Sequence, residues 1–295
     1  MQLQGVFAAT VTPFDPATGD VDLDGFRRNA RFLLDTPLAG LVLFGSTGEG
    51  VLLDAGERAA LLAVARELAG DRLVLAGTGA ESTRATIRLS QAAAAAGADA
   101  VLVHPPGYFR SLMTTTALLE HYTAVADASP VPVVLYQVPL ASRSVELELP
   151  LIARLSEHPN VIGLKDSTGD LAALGELRRS CAEEFAVIVG TAALLLDALD
   201  AGASAGILAL AAIAPEECTD IYRLWQSGER DSAARMQGVA APLHRAIVTR
   251  FGVPGVKAAL DVLGLAGGPP RPPLQALGEA DRTAVEQALN AARRR

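Results

Sequence analysis

The feature that most restricts the fold is an eightfold alternation along the chain. Short apolar runs, rich in Val, Leu and Ile, recur between segments of helical periodicity: Gly5–Thr12, Gly40–Phe44, Arg72–Gly77, Asp99–Val103, Val131–Tyr136, Val161–Lys165, Ala186–Gly190 and Ala203–Leu210. These runs do not alternate apolar with polar residues, so both faces of each strand must be covered. That pattern means parallel strands under helices. Eight such units favour an α/β fold closed into a (β/α)8 TIM barrel over an open doubly wound sheet. Helices are expected at Leu23–Leu34 behind an Asp22 N-cap, at Asp54–Ala69, at Ser82–Ala96 before Gly97, and at Thr115–Ala128. Further helices are expected near Leu149–Glu157, Ala172–Glu183 and Leu194–Asp200. Beyond about residue 215 only helical patterns remain, interrupted at Gly264–Pro273. The expected division is a catalytic barrel over residues 1–223 and a C-terminal helical domain over 224–295, whose simplest role is contact between subunits.

Composition narrows the function classes. The 295 residues carry a net charge of −8, with no basic cluster beyond the short Arg293–Arg295 end. This argues against nucleic acid and anionic membrane surfaces as partners. No apolar run approaches the ~20 residues of a membrane span. The first residues have neither the basic nor the apolar segment of a secretory leader. Cys181 and Cys218 lack metal-ligand spacing and read as small hydrophobes of a soluble, cytoplasmic protein. The four histidines show no HxH or HExxH spacing, and His121 and His158 are expected at the surface.

Lys165 carries the strongest chemical signal. It ends an apolar strand, and Lys165 and Lys257 are the only lysines among 25 basic residues. Arginine supplies charge as well as lysine does but cannot shed its proton to become a nucleophile. The residue reads as a Schiff-base lysine, or alternatively as a lysine snorkelling from a strand end. Chemistry in such barrels gathers at the C-terminal strand ends. Tyr136, the Ser46–Thr47 pair and Gly190 would therefore share one mouth with Lys165. A phenol at Tyr136 can relay a proton, although a tyrosine there can also simply pack. Gly45-Ser46-Thr47-Gly48-Glu49 has neither the P-loop nor the dinucleotide spacing. Its backbone N–H groups and two hydroxyls suit a single carboxylate, such as that of a 2-oxo acid.

Three motifs in order, the Gly45–Glu49 loop, Tyr136-Gln137-Val138-Pro139 and Gly163-Leu164-Lys165-Asp166-Ser167-Thr168-Gly169-Asp170, resemble the dihydrodipicolinate synthase/N-acetylneuraminate lyase superfamily over essentially the whole chain. Segments His121–Asp127, Ser129–Tyr136, Val248–Lys257 and Gly267–Gln275 are most similar to its 4-hydroxy-2-oxoglutarate aldolases. The resemblance implies a cofactor-free class I aldolase that forms an imine between pyruvate and Lys165 and exchanges an aldehyde. It implies Tyr136 as proton shuttle, Ser46 and Thr47 on the carboxylate, Ser167 beside the lysine, and Gly190 and Ile207 lining the substrate. It also implies Tyr108 as a tyrosine lent across a dimer interface, within a homotetramer built as a dimer of dimers.

Departures leave the aldehyde open. The synthases carry an arginine where this chain has Ala141; Arg143, two residues on, is the candidate for a distal carboxylate. The hydroxyoxoglutarate enzymes have Asn at Thr47 and Thr-Gly at Ser142-Arg143. The readings in play are cleavage of 4-hydroxy-2-oxoglutarate, condensation of pyruvate with aspartate semialdehyde, action on a 2-keto-3-deoxy sugar acid, and a 2-oxo acid sensor without catalysis.

Overall fold

The computed structural model describes residues 1–138 and 145–293. Eight parallel strands close into a barrel in sequence order: β1 (Gly5–Ala9), β2 (Gly40–Leu43), β3 (Leu73–Gly77), β4 (Ala100–Val103), β5 (Val133–Gln137), β6 (Val161–Asp166), β7 (Ala186–Val189) and β8 (Ala205–Leu208), with β8 pairing back to β1. Between them run α1 (Leu23–Leu34), α2 (Ala55–Ala69), α3 (Thr83–Ala95), α4 (Thr115–Ala128), α5 (Leu149–Ser156), α6 (Leu171–Ser180) and α7 (Leu195–Asp200). The helix starts follow the local chemistry. Asp22 accepts the Gly25 N–H, and Asp54 and Glu57 cap each other's backbone N–H reciprocally at the start of α2.

Strand alternation splits the core in two. Phe7, Val42, Leu75, Leu102, Val134 and Ile188 fill the barrel interior, while Val6, Leu41, Val74, Val101 and Leu135 face the helices. Strands run shorter than their apolar runs. The Thr10 N–H makes the last bond to β2, at Val42, and beyond it Thr12 instead donates its hydroxyl to the Gly48 carbonyl at 2.7 Å.

The β5–β6 pairing contains a register slip: Val133 pairs with Val161, but Val134 pairs with Gly163. Val161 and Leu164, three residues apart, both face outward in consequence, and Ile162 and the Lys165 position face in. A regular strand would give Lys165 the outward phase of Val161. The extra residue re-aims the lysine into the barrel. Gly163 allows the close approach, since a Cβ there would lie 2.6 Å from the Ala186 carbonyl oxygen.

The chain ends in α8 (Pro215–Gln226), α9 (Arg230–His244), α10 (Arg250–Val262) and α11 (Glu279–Arg293). A π turn at Arg245–Thr249 joins α9 to α10, and Gly252 (φ 60°) kinks the start of α10. The expected boundary at residue 223 falls just before α8 ends at Gln226. Among the described residues no helix is long and apolar enough to cross a membrane.

Candidate active site

The strand ends deliver their side chains to one point. Tyr136 and Lys165 are direct partners across β5 and β6, both 6% exposed, and Lys165 Nζ lies 4.3 Å from the Tyr136 ring centroid. The hydroxyls of Ser46 and Ser167 and the Lys165 amine all hydrogen-bond the phenol. Burial alone would push the Tyr136 phenol up. The Lys165 charge and the three hydrogen bonds outweigh it, and the phenol sits below its ordinary value. A phenol that yields its proton more easily than usual suits a relay.

Gly190 contributes through the Cβ it lacks: one would stand 1.9 Å from Ser167 Oγ, where the hydroxyl now sits. Its N–H donates to the Asp166 carbonyl at 2.6 Å, tying the end of β7 to that of β6. Asp166 itself is buried, which raises its carboxyl, and accepts the Thr168 N–H at 2.6 Å, so the turn after Lys165 is held from within. Ile207 is fully buried in the barrel interior, paired with Phe7 across β8 and β1.

The Ser46–Thr47 loop is shaped by tight backbone contacts. Phe44 has φ +61°, costly for a bulky residue. A Cβ at Gly50 or Gly77 would come within 2.1 and 2.3 Å of its carbonyl oxygen, so only glycine fits at either position. Arg58 on α2 ties the two together, donating to the Gly77 carbonyl at 2.8 Å and to the Gly50 carbonyl. Thr47 is half-buried beside the exposed Ser46. A cavity of about 260 Å³ opens beside Ser46 and Tyr136, walled by Phe44, Val51, Leu102 and Leu274, with His104 on its rim.

Lys165, Tyr136, Ser46 and Ser167 thus come together, with Gly190 supporting Ser167. Tyr108 does not join them. It is 81% exposed beyond β4, edge-on to Phe109, and its loop is held by Glu81, whose carboxylate accepts the Gly107 and Tyr108 N–H groups at 3.0 and 2.8 Å. Arg143 lies outside the described residues. His121 corrects a surface expectation: it is 5% exposed, 2.9 Å from the Thr83 hydroxyl, because its face of α4 packs against α3. His158 is only half-buried, paired with Asp127 at 3.1 Å. Cys218 is buried and Cys181 half-buried, both free. Among the described residues no group of three or more His, Cys, Asp or Glu is placed to hold a metal.

Sequence reasoning missed Glu49 as a distinct residue. Its carboxylate is enclosed, 2.5 Å from Lys257 Nζ on α10, and accepts the Arg271 N–H at 2.7 Å. The available signal was the second of the two lysines, spaced from any surface role by apolar neighbours.

The sequence profile of the Dihydrodipicolinate synthetase family matches residues 2–292. A protein of Emericella nidulans described as a probable mitochondrial 4-hydroxy-2-oxoglutarate aldolase is 37% identical, the match covering 97% of this chain and 94% of that one. A 4-hydroxy-tetrahydrodipicolinate synthase of Methanospirillum hungatei is also 37% identical, over 97% of this chain and 98% of its own. The crystal structure of a chloride-inhibited dihydrodipicolinate synthase from Acinetobacter baumannii, complexed with pyruvate, superposes with a TM-score of 0.92 at 31% identity, covering 99% of both chains. With the profile spanning nearly every residue and the barrel shared throughout, this chain belongs to the dihydrodipicolinate synthetase family.

Proposed function

We propose that the protein is a class I aldolase that makes or breaks a carbon–carbon bond to pyruvate through an imine on Lys165, and that it cleaves 4-hydroxy-2-oxoglutarate to pyruvate and glyoxylate. The observation that carries this reading is the convergence of Lys165, Tyr136, Ser46 and Ser167 at one barrel mouth. The neutral Lys165 amine attacks C2, and the carbonyl oxygen leaves as water after protonation through Tyr136. Tyr136 then takes the C4 hydroxyl proton, the C3–C4 bond breaks, and its electron pair enters the enamine while glyoxylate departs. Protonation at C3 and hydrolysis release pyruvate and the free lysine. The iminium is itself the electron sink, so the step needs no metal. Ser46 and Thr47 with the loop N–H groups hold the C1 carboxylate, and Arg143 is assigned the distal one.

The Emericella relative favours this substrate; the equally similar synthase keeps condensation with aspartate semialdehyde as the second reading. The alanine at position 141 weighs against the latter. We further assign Tyr108, which with Phe109 and Leu112 leaves an exposed apolar patch, to a dimer interface within a tetramer, and the protein to the cytoplasm. A lactate dehydrogenase-coupled assay tests the substrate. Pyruvate released from 4-hydroxy-2-oxoglutarate is expected; release from a 2-keto-3-deoxy sugar acid alone would refute the assignment while keeping the imine chemistry.

A further inference from the structure

Both lysines of the chain bear on the same site, Lys165 directly and Lys257 through the loop after β2. Lys257 on α10 is 1% exposed, and the Glu49 side chain it meets is fully enclosed. The ammonium also donates to the Pro269 carbonyl at 2.8 Å and lies 4.4 Å from the Phe14 ring centroid. The second Glu49 oxygen takes the Arg271 N–H, and the Arg271 guanidinium lies 4.2 Å from the Phe14 ring centroid and pairs with Glu57. Glu49 has φ 53°, a conformation that a non-glycine residue keeps only when its surroundings impose it. From that anchored residue the N–H donates to the Ser46 carbonyl at 3.2 Å, and the Ser46 hydroxyl reaches Tyr136.

We propose that Glu49 and Lys257 are positioning residues, an ion pair by which the C-terminal helices fix the Gly45–Gly50 loop in its carboxylate-binding shape. This rests on the reading that the loop receives the carboxylate of pyruvate. Stability alone does not account for the pair. Apolar residues of similar volume serve a closed site as well as buried charges do, because charges must give up their hydration. What the pair adds is direction, since the carboxylate is held at both oxygens and the ammonium at two acceptors. Lys257 also cancels a negative charge three residues from Ser46, where it would oppose an incoming anion. The compact ammonium, with three donors, fits an enclosed space where the planar guanidinium used elsewhere in this chain does not.

The test is the pyruvate concentration that gives half-maximal borohydride-trapped adduct on Lys165, read by intact mass, in Glu49→Gln and in Glu49→Gln/Lys257→Met. The double variant removes both charges together, so no unpaired ion is left behind. Circular dichroism and melting temperature are followed alongside; should the double variant fail to fold, the isosteric single one decides. The expected result is a rise in half-saturating pyruvate, about tenfold or more in the double variant, with wild-type trapping at saturation because Lys165 and Tyr136 are untouched. Half-saturation unchanged in the folded variants, whatever their melting temperature, overturns the positioning role while the wild-type adduct upholds the aldolase reading. No adduct in the wild type overturns the aldolase reading itself, and the proposal with it.

Discussion

Lys165 faces the barrel interior only because β6 carries one residue more than its pairing needs. Sequence placed the lysine at a strand end, yet an unbroken apolar run such as Val161–Leu164 holds no sign of which way its last side chain points. Tyr136 was legible by the same strand-end rule, and its lowered phenol is a consequence of three neighbours, one on β6 and two on the loops after β2 and β6, that only the fold assembles. Gly190 was placed at the mouth, but its role is steric. Gly190→Ala is expected to displace the Ser167 hydroxyl from the phenol and lower turnover about tenfold, the worth of one good hydrogen bond. Ser167→Ala should lower it equally, and the double variant no further, since both remove the same contact. Steady-state turnover of the three variants checks this; additive losses would contradict it.

At the scale of elements, the C-terminal helices reach into the barrel's loops. The Gln237 amide on α9 donates to the Ala192 and Ala193 carbonyls at 2.9 and 3.1 Å and accepts the Leu196 N–H, clasping the loop beyond β7. One residue before the π turn, His244 lies 3.1 Å from the Thr191 hydroxyl. Burial, helped by Arg245, lowers the His244 imidazole to about 4; burial, helped by His104, does the same to His121 on α4. Unfolded, each takes up a proton near pH 6.5. Between pH 6.5 and about 4 the unfolded chain therefore binds protons that the folded one refuses. Stability is full above pH 6.5 and falls on acidification, by up to about 1.4 kcal/mol per pH unit for each histidine. Urea unfolding at pH 7, 6 and 5 should show this, and His244→Gln should lessen the fall by the share of one histidine. A variant that loses stability as steeply as the wild type would contradict it.

For the whole molecule, the barrel was the most legible feature, because burying both faces of eight strands leaves a periodicity that no local preference can mimic. α1 and α4 match their expected ranges to the residue, each behind a side-chain cap. Strand ends matched less well, since the strand-like runs continue past the last paired residue, as at Val11–Thr12 and in the run around β8. The joining of distant segments was illegible: nothing in the spacing of Glu49, Lys257 and Arg271, more than 200 residues apart from first to last, announces that they meet. Tyr108 likewise stays exposed within its own chain, its ring against Phe109 rather than among the site's side chains.

All of this turns on whether Lys165 forms an imine with pyruvate. Intact mass after incubation with pyruvate and borohydride, comparing the wild type with Lys165→Arg, measures it directly. A reduced pyruvate adduct in the wild type alone is predicted. A folded wild type that acquires no adduct, or an adduct that persists in Lys165→Arg, would contradict it.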